Sequence, residues 1–307
     1  MKPPRQKCSG LNRREFLKTS TALAGTVLFS PWAWAETGAA GPAITRTATD
    51  QVTLGRTGIK LSRLGFGTGS NNGYIQTAEG KDAFVNLIHY AYDHGIRFFE
   101  TADSYYDMHR MLGIALKGIP RDTYQLMTKV TTEDSVDPQV RIDELRKQIN
   151  SDYFDIALLH WQHIGEWPDV TTRWQDGIVK AQERKAIIAR GASVHGLPAL
   201  RRVPDFHWLE VAMIRVNHNG TRMDAEIAEG PYRGNVPEVV EHIHSARAAG
   251  MGVISMKLAG EGSFGQEDRQ KAMRFAFQNA KVDSVTVGYK SPQEIDEAIN
   301  NINLALA

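Results

Sequence analysis

Cysteine is almost absent from this chain: Cys8 is the single one among 307 residues. It precedes the first apolar run, which is not where a lipid-attachment cysteine stands. A disulfide framework and cysteine-bound zinc or iron–sulfur centres are therefore excluded. Charge of one sign is also missing, with 36 Lys plus Arg against 35 Asp plus Glu and a net charge of +1. Without a basic surplus there is no electrostatic footprint for nucleic acid. No apolar run reaches the length of a comfortable membrane span. There is no internal repeat and no G-x-G-x-x-G after the first strand, which weighs against a doubly wound open sheet. That absence does not exclude a nucleotide, because barrels hold phosphate through other loops.

What is present begins with a basic start, Lys2, Arg5 and Lys7, leading into "NRREFLK" and the apolar run "TALAGTVLFSPWAWA". Ala33 and Ala35 fit an A-x-A cleavage site before Glu36. The stretch is expected to be an export signal over 1–35, with an uncleaved membrane anchor as the alternative. Arg13 and Arg14 followed by Phe16, Leu17 and Lys18 resemble a twin-arginine translocation signal, which implies the Tat export machinery as a partner. It also implies export in the folded state to the periplasm, or to another exported location, of a bacterium. Residues 36–50, "ETGAAGPAITRTATD", are small and polar and are expected to form a linker.

From residue 51 the pattern is regular. "LGRTGIKLSRLGFGT" suggests a short hairpin running into a strand. Then come "RFFETA", "YQLMTKV", "FDIALLHW", "IARGASV", "EVAMIRVN", "GVISMK" and "DSVTVGY", which with "RLGFGT" make eight candidate strands. Most are short, apolar and unalternated, as in parallel strands covered by helices. Amphipathic stretches such as "GKDAFVNLIHYAYDHG" and "VPEVVEHIHSARAAG" lie between them, several closing on Gly. About eight alternations over roughly 250 residues predict a single-domain α/β (β/α)8 TIM barrel over 51–307.

Barrel chemistry gathers where strands end at the C-terminal face. Strand two ends with Glu100 and places Tyr105 in its loop, strand three ends with Lys129, and strand four with His160. Taken singly, each is more often structural: a solvated charge, a core tyrosine, a hydrogen-bonded histidine. Four such groups at the ends of three consecutive strands are harder to dismiss. A free phenol holds its proton to about pH 10, an adjacent ammonium lowers that value, and a carboxylate fixes the ammonium. Such a group suits a carbonyl becoming an alcohol, where charge develops on oxygen.

The segments "LGRTGIKLSRLGFGT", "ETADSYYDMHRMLGIAL", "MTKV", "DIALLHW" and "VGYKSPQEIDEAI" resemble aldo/keto reductases in sequence and order. The resemblance implies a barrel binding NADP or NAD, with a lean to NADP, and moving hydride between it and a carbonyl or alcohol carbon of a small molecule. Its catalytic tetrad falls on Tyr105 as proton donor, Lys129, His160 and Glu100, with Glu where the family has Asp. Tyr105 fits the family spacing better than Tyr106. Asp103 falls on an unspecified loop position, and the role of His109 is open. The implied cofactor contacts are Gly67, Thr68, Ser193, Met256, Lys257, Leu258, Gly260, Lys290 and Ser291. Val194 stands where many members have Asn, Met256 where an aromatic ring stacks, and Glu294 near an Arg that meets the 2′-phosphate. The long tail that closes the pocket in many relatives is not seen, so substrate contacts are expected from other loops. Trp161, Trp167 and Trp174 in the long loop after strand four are expected either to wall an apolar or sugar-binding cleft or to pack within the loop. Two other functions stay open: a cofactor-binding barrel without turnover, and a metal-dependent lyase or isomerase using Glu100, His160 and His195.

Overall fold

The eight short apolar runs become eight parallel strands, in a computed structural model that describes residues 46–227 and 233–307. A hairpin comes first, β1 (Gln51–Thr53) against β2 (Lys60–Ser62), antiparallel in the register Gln51 to Ser62. The barrel strands are β3 (Leu64–Gly67), β4 (Phe98–Glu100), β5 (Gln125–Val130), β6 (Phe154–Gln162), β7 (Ile187–Val194), β8 (Val211–Arg215), β9 (Gly252–Met256) and β10 (Ser284–Val287). Each pairs with its sequence neighbour, and β10 closes on β3. The barrel helices are α1 (Lys81–Asp93), α2 (Met108–Ala115), α3 (Pro138–Ile149), α4 (Thr172–Glu183), α5 (Leu197–Leu200), α6 (Val236–Ala248), α7 (Gln266–Gln278) and α8 (Pro292–Leu306). Between β7 and β8 the expected helix shrinks to the single turn of α5.

Local chemistry sets the helix starts. Asp137 accepts from the Gln139 and Val140 amides with Pro138 in the first turn of α3, and Asn235 caps α6 in the same way ahead of Pro237. The two strand faces feed two cores. Phe98, Met127, Ile156, Leu158, Val211 and Ile254 fill the barrel interior together with Leu54, Ile59 and Leu61 of the hairpin. Their neighbours Phe99, Leu126, Ala157, Leu159, Ala212 and Val253 pack outward in the core that includes the helices. The hairpin joins the interior at the start of β9, where the Arg56 amide donates to Gly250 O at 2.9 Å. The barrel is thereby stoppered at the end opposite the strand C-termini.

One boundary moves. Residues 46–50, expected within the linker, belong to the barrel: Ala48 is fully buried, accepts from the Leu64 amide at 2.9 Å and donates to Asn303 Oδ1 at 2.8 Å. A small residue suited a linker and equally suits a tight contact with α8. The expected export signal over 1–35 and the rest of the linker lie outside the described residues. Among the described residues no helix is long and apolar enough to cross a membrane.

Candidate active site

The rim is built where the chain after β4 keeps pairing with β5. The Thr101 amide donates to Met127 O at 2.9 Å and the Asp103 amide to Lys129 O at 3.0 Å, so the loop after β4 leaves the barrel in a fixed direction. Glu100 and Lys129 are buried and form an ion pair, and Lys129 Nζ also donates to Thr101 O at 3.2 Å. Burial pushes the Lys129 ammonium well below its ordinary range, and the like charge of Lys257 adds to it. Glu100 is the contact that opposes both.

Tyr105 lies over this pair, with Lys129 Nζ 4.7 Å from its ring centroid. Gly69 makes room for it, since a Cβ there would stand 2.5 Å from the Tyr105 hydroxyl. Burial, followed by the charge of Asp103, raises the Tyr105 pKa above that of a free phenol. Lys129 was expected to lower it, but burial dominates, and the ammonium is directed at Glu100 and Thr101. Tyr106, by contrast, is exposed and stacks on Tyr74 with centroids 5.0 Å apart.

His160 reaches the cavity through an irregularity. Leu159 pairs with Ala192 but the next pairing is Gln162 with Val194, so β6 carries an extra residue here, and Trp161 takes φ 58°. A bulge of this kind re-aims side chains. His160 then meets Tyr105 edge-on at 5.7 Å between centroids, and its Nδ1 bonds Ser104 Oγ at 3.2 Å. His195 lies 6.1 Å beyond and bonds Ser193 Oγ at 3.1 Å. Burial first, then surrounding cations, hold both imidazoles well below their ordinary value, so both are neutral near pH 7.

A cavity of about 1080 Å³ opens beside these groups. Of the residues expected there, Glu100, Tyr105, His160, Gly67, Met256, Lys257, Leu258 and Lys290 line it. Lys129 lies beneath the surface. Thr68, Ser193, Gly260 and Ser291 are outside the lining. The Thr68 hydroxyl donates to Glu100 O at 3.0 Å, Ser193 is fully buried against His195, and Ser291 caps α8 by accepting the Glu294 amide at 3.4 Å. Thr68 and Ser291 thus engage backbone groups, and Ser193 engages the His195 ring.

Other expectations are corrected. Asp103, left unspecified from sequence, accepts from the Thr131 amide at 2.9 Å and from its hydroxyl at 2.8 Å, and burial raises its pKa. His109 is a core residue, bonded to Thr128 Oγ1 at 2.8 Å and lowered by burial to about 3. Trp167 and Trp174 are buried in the outer core, and only Trp161 of the three reaches the cavity. Among the described residues no three His, Cys, Asp or Glu side chains are grouped to hold a metal ion. Glu100, named for such a role, is engaged by Lys129.

The cavity also holds residues not singled out from sequence: Arg215, Arg222, Glu261 and Arg269. Arg215 ends β8 and bonds Asp224, which burial pushes up to about 6. The strand-end criterion that found Lys129 in "MTKV" would have found Arg215 in "VAMIR".

Residues 63–182 match the model of the aldo/keto reductase family. The matched stretch of aldo/keto reductase family sequence contains Glu100, Tyr105, Lys129 and His160. The chain is 33% identical over 114 residues to "Probable aldo-keto reductase 1" of Glycine max, covering 35% of this chain and 32% of the relative. It is 26% identical over 292 residues to L-galactose dehydrogenase of Arabidopsis thaliana, covering 80% and 86%. The chain thus spans about a third of the soybean relative and most of the Arabidopsis one. Among solved structures, an aldo-keto reductase from Bacillus halodurans in its holo form superposes with TM-score 0.66 at 16% identity, covering 82% of this chain and 90% of that one. At that identity the likeness speaks for the fold alone.

Proposed function

We propose that the chain is an NAD(P)(H)-dependent oxidoreductase of small carbonyl or alcohol compounds, with Tyr105 as proton donor. One observation carries this: a cavity-lining tyrosine seated over a buried Lys129–Glu100 ion pair, with neutral His160 against its ring. A dinucleotide fits the residues present. Lys257, Arg222, Arg269 and Lys290 line the cavity, each paired with a lining carboxylate of Glu261, Glu297 or Glu294 that a phosphate could replace, and Met256 adds an adaptable apolar side chain. A nicotinamide bound there supplies the hydride.

The chain's own groups do the rest. Glu100 holds the Lys129 ammonium in place, and that cation favours negative charge developing near the Tyr105 hydroxyl as it gives up its proton. A neutral imidazole orients a substrate oxygen by hydrogen bonding without competing for the proton. His160 has one nitrogen on Ser104 and a second to offer. For the cofactor the reading favours NADP, because Arg269 and Lys290 can meet an extra phosphate once Glu297 and Glu294 release them. Trp161 at the cavity suits a sugar face, and the likeness to L-galactose dehydrogenase puts sugars beside simple aldehydes as first substrates to try. Export by the Tat route to the periplasm is part of the reading, and it rests on Arg13, Arg14 and the run after them.

The test follows absorbance at 340 nm with NADPH and a panel of aldehydes, ketones and sugars. Tyr105→Phe is expected to remove turnover while cofactor affinity stays nearly intact; an unchanged rate overturns the assignment. Cofactor binding by the parent chain without turnover on any substrate points to the second reading, a retained ligand without catalysis. The upward-shifted Tyr105 is the observation in favour of that reading. Exchanging Arg13 and Arg14 for Lys is expected to keep the precursor inside the cell, and undiminished export refutes the twin-arginine route.

A further inference from the structure

Three cavity-lining residues form a cluster that the catalytic group does not use. Glu261 bridges two cations: one carboxylate oxygen pairs with Lys257 Nζ, the other with Arg222 Nε at 3.1 Å. All three sit in the left-handed backbone region, Arg222 at φ 58°, Lys257 at 62° and Glu261 at 56°. Left-handed backbone is uncommon in residues with a side chain and marks places where the surroundings over-determine the conformation. Glu261 is flanked by Gly260 at φ 57° and Gly262 at 87°, so the turn that presents it contains two residues free to change conformation. Two cations converging on a two-oxygen anion is the arrangement that binds a phosphate.

We infer that Glu261 is a built-in counter-anion, holding Lys257 and Arg222 in the place that the diphosphate of a dinucleotide takes, and that it must swing out on the Gly260–Gly262 turn when the ligand enters. The inference rests on the proposed dinucleotide reading and adds to it a residue that weakens binding. While the cavity is open, the carboxylate keeps two partly buried cations paired. On binding it is displaced, and its own charge opposes the incoming one. Burial alone would make Glu261 easier to protonate, but the Lys257 contact and the nearby Arg222 and Arg215 charges keep it ionised.

The test measures dinucleotide affinity of the full chain directly, by quenching of tryptophan fluorescence, which Trp161 in the cavity makes sensitive. Glu261→Gln keeps the side-chain shape and is expected to tighten NADPH binding roughly two- to thirtyfold at low salt, the range that two partly exposed ion pairs span. Inorganic pyrophosphate should compete with NADPH more strongly in that variant. Added salt should narrow the gap, since the screening length falls to about 3 Å at 1 M. The double variant Lys257→Met/Glu261→Gln should lose the gain, because the cation that the carboxylate was occupying is gone. If the parent binds NADPH and Glu261→Gln binds it equally or more weakly, Glu261 is a clamp or a bystander and the inference is wrong while the function stands. If neither binds any dinucleotide, the functional reading falls and takes this inference with it.

Discussion

Replacing Glu100 by alanine leaves Lys129 with its ammonium buried to 1% exposure and only the Thr101 carbonyl, at 3.2 Å, as a hydrogen-bond partner. Removing one partner of a buried pair costs about 3–5 kcal/mol, because the survivor is left charged without compensation or must give up its proton. At about 2–4 °C per kcal/mol for chains of 150–250 residues, and somewhat less for a larger one, melting should fall by roughly 6–15 °C. Replacing both partners, as Glu100→Met/Lys129→Met, removes the uncompensated charge and should recover most of that loss. The double variant should remain inactive all the same. Urea and thermal unfolding of the parent, Glu100→Met, Lys129→Met and the double variant, followed by circular dichroism, close the cycle, and Glu100→Ala is measured beside them. A loss below about 1 kcal/mol in Glu100→Ala, the size of an exposed pair, would refute the reasoning. So would a double variant no more stable than either single one.

Acid should weaken the fold ahead of any catalytic effect. Burial holds His109 to about 3, while an exposed imidazole titrates near 6.5. Between those values the unfolded chain takes up a proton that the native state refuses, so stability falls as pH drops below about 6.5 and continues to fall toward about 3. His160 and His195, lowered for the same reason, act with the same sign. A urea series from about pH 7.5 to about pH 5 checks this, with His109→Gln giving the shallower slope, and a flat profile in the parent contradicts it. Among the tryptophans, Trp167→Ala removes a fully buried indole bonded to Ala199 O at 3.3 Å and should cost about 3–5 kcal/mol. Trp161 is 43% exposed, and Trp161→Ala should stay within about 0.5 kcal/mol while altering substrate preference. Equal losses in unfolding experiments would show that the two share one environment.

The barrel was readable because its strands are apolar on both faces and its helices keep a 3.6-residue period, two signals that survive without tertiary information. Glu100, Tyr105, Lys129 and His160 were readable because a strand end carrying a proton-bearing group is a visible anomaly in an apolar run. What escaped depends on backbone geometry. Nothing in "LHWQ" announces the extra residue that turns His160 inward, and nothing in "MKLAGEG" announces that Lys257 and Glu261 both adopt positive φ and so meet each other. The three tryptophans looked alike in sequence because their burial is decided by where the chain carries them: Trp161 stays on the bulged end of β6, while Trp174 is buried on α4, whose start was not fixed by a strong cap. Ser291 looked like a ligand contact because a serine ahead of a Pro-initiated helix has the same composition whether it binds phosphate or an amide of its own helix.

The contact between Ala48 and Asn303, together with the seam between β3 and β10, ties the beginning of the barrel to its last helix. The sheet has no partner for the second edge of its first strand until β10 has been made. During synthesis β3 must therefore wait, edge open, for more than two hundred residues, and the ring closes in one late step. Any machinery that distinguishes a finished chain from an unfinished one would find its cue in that seam.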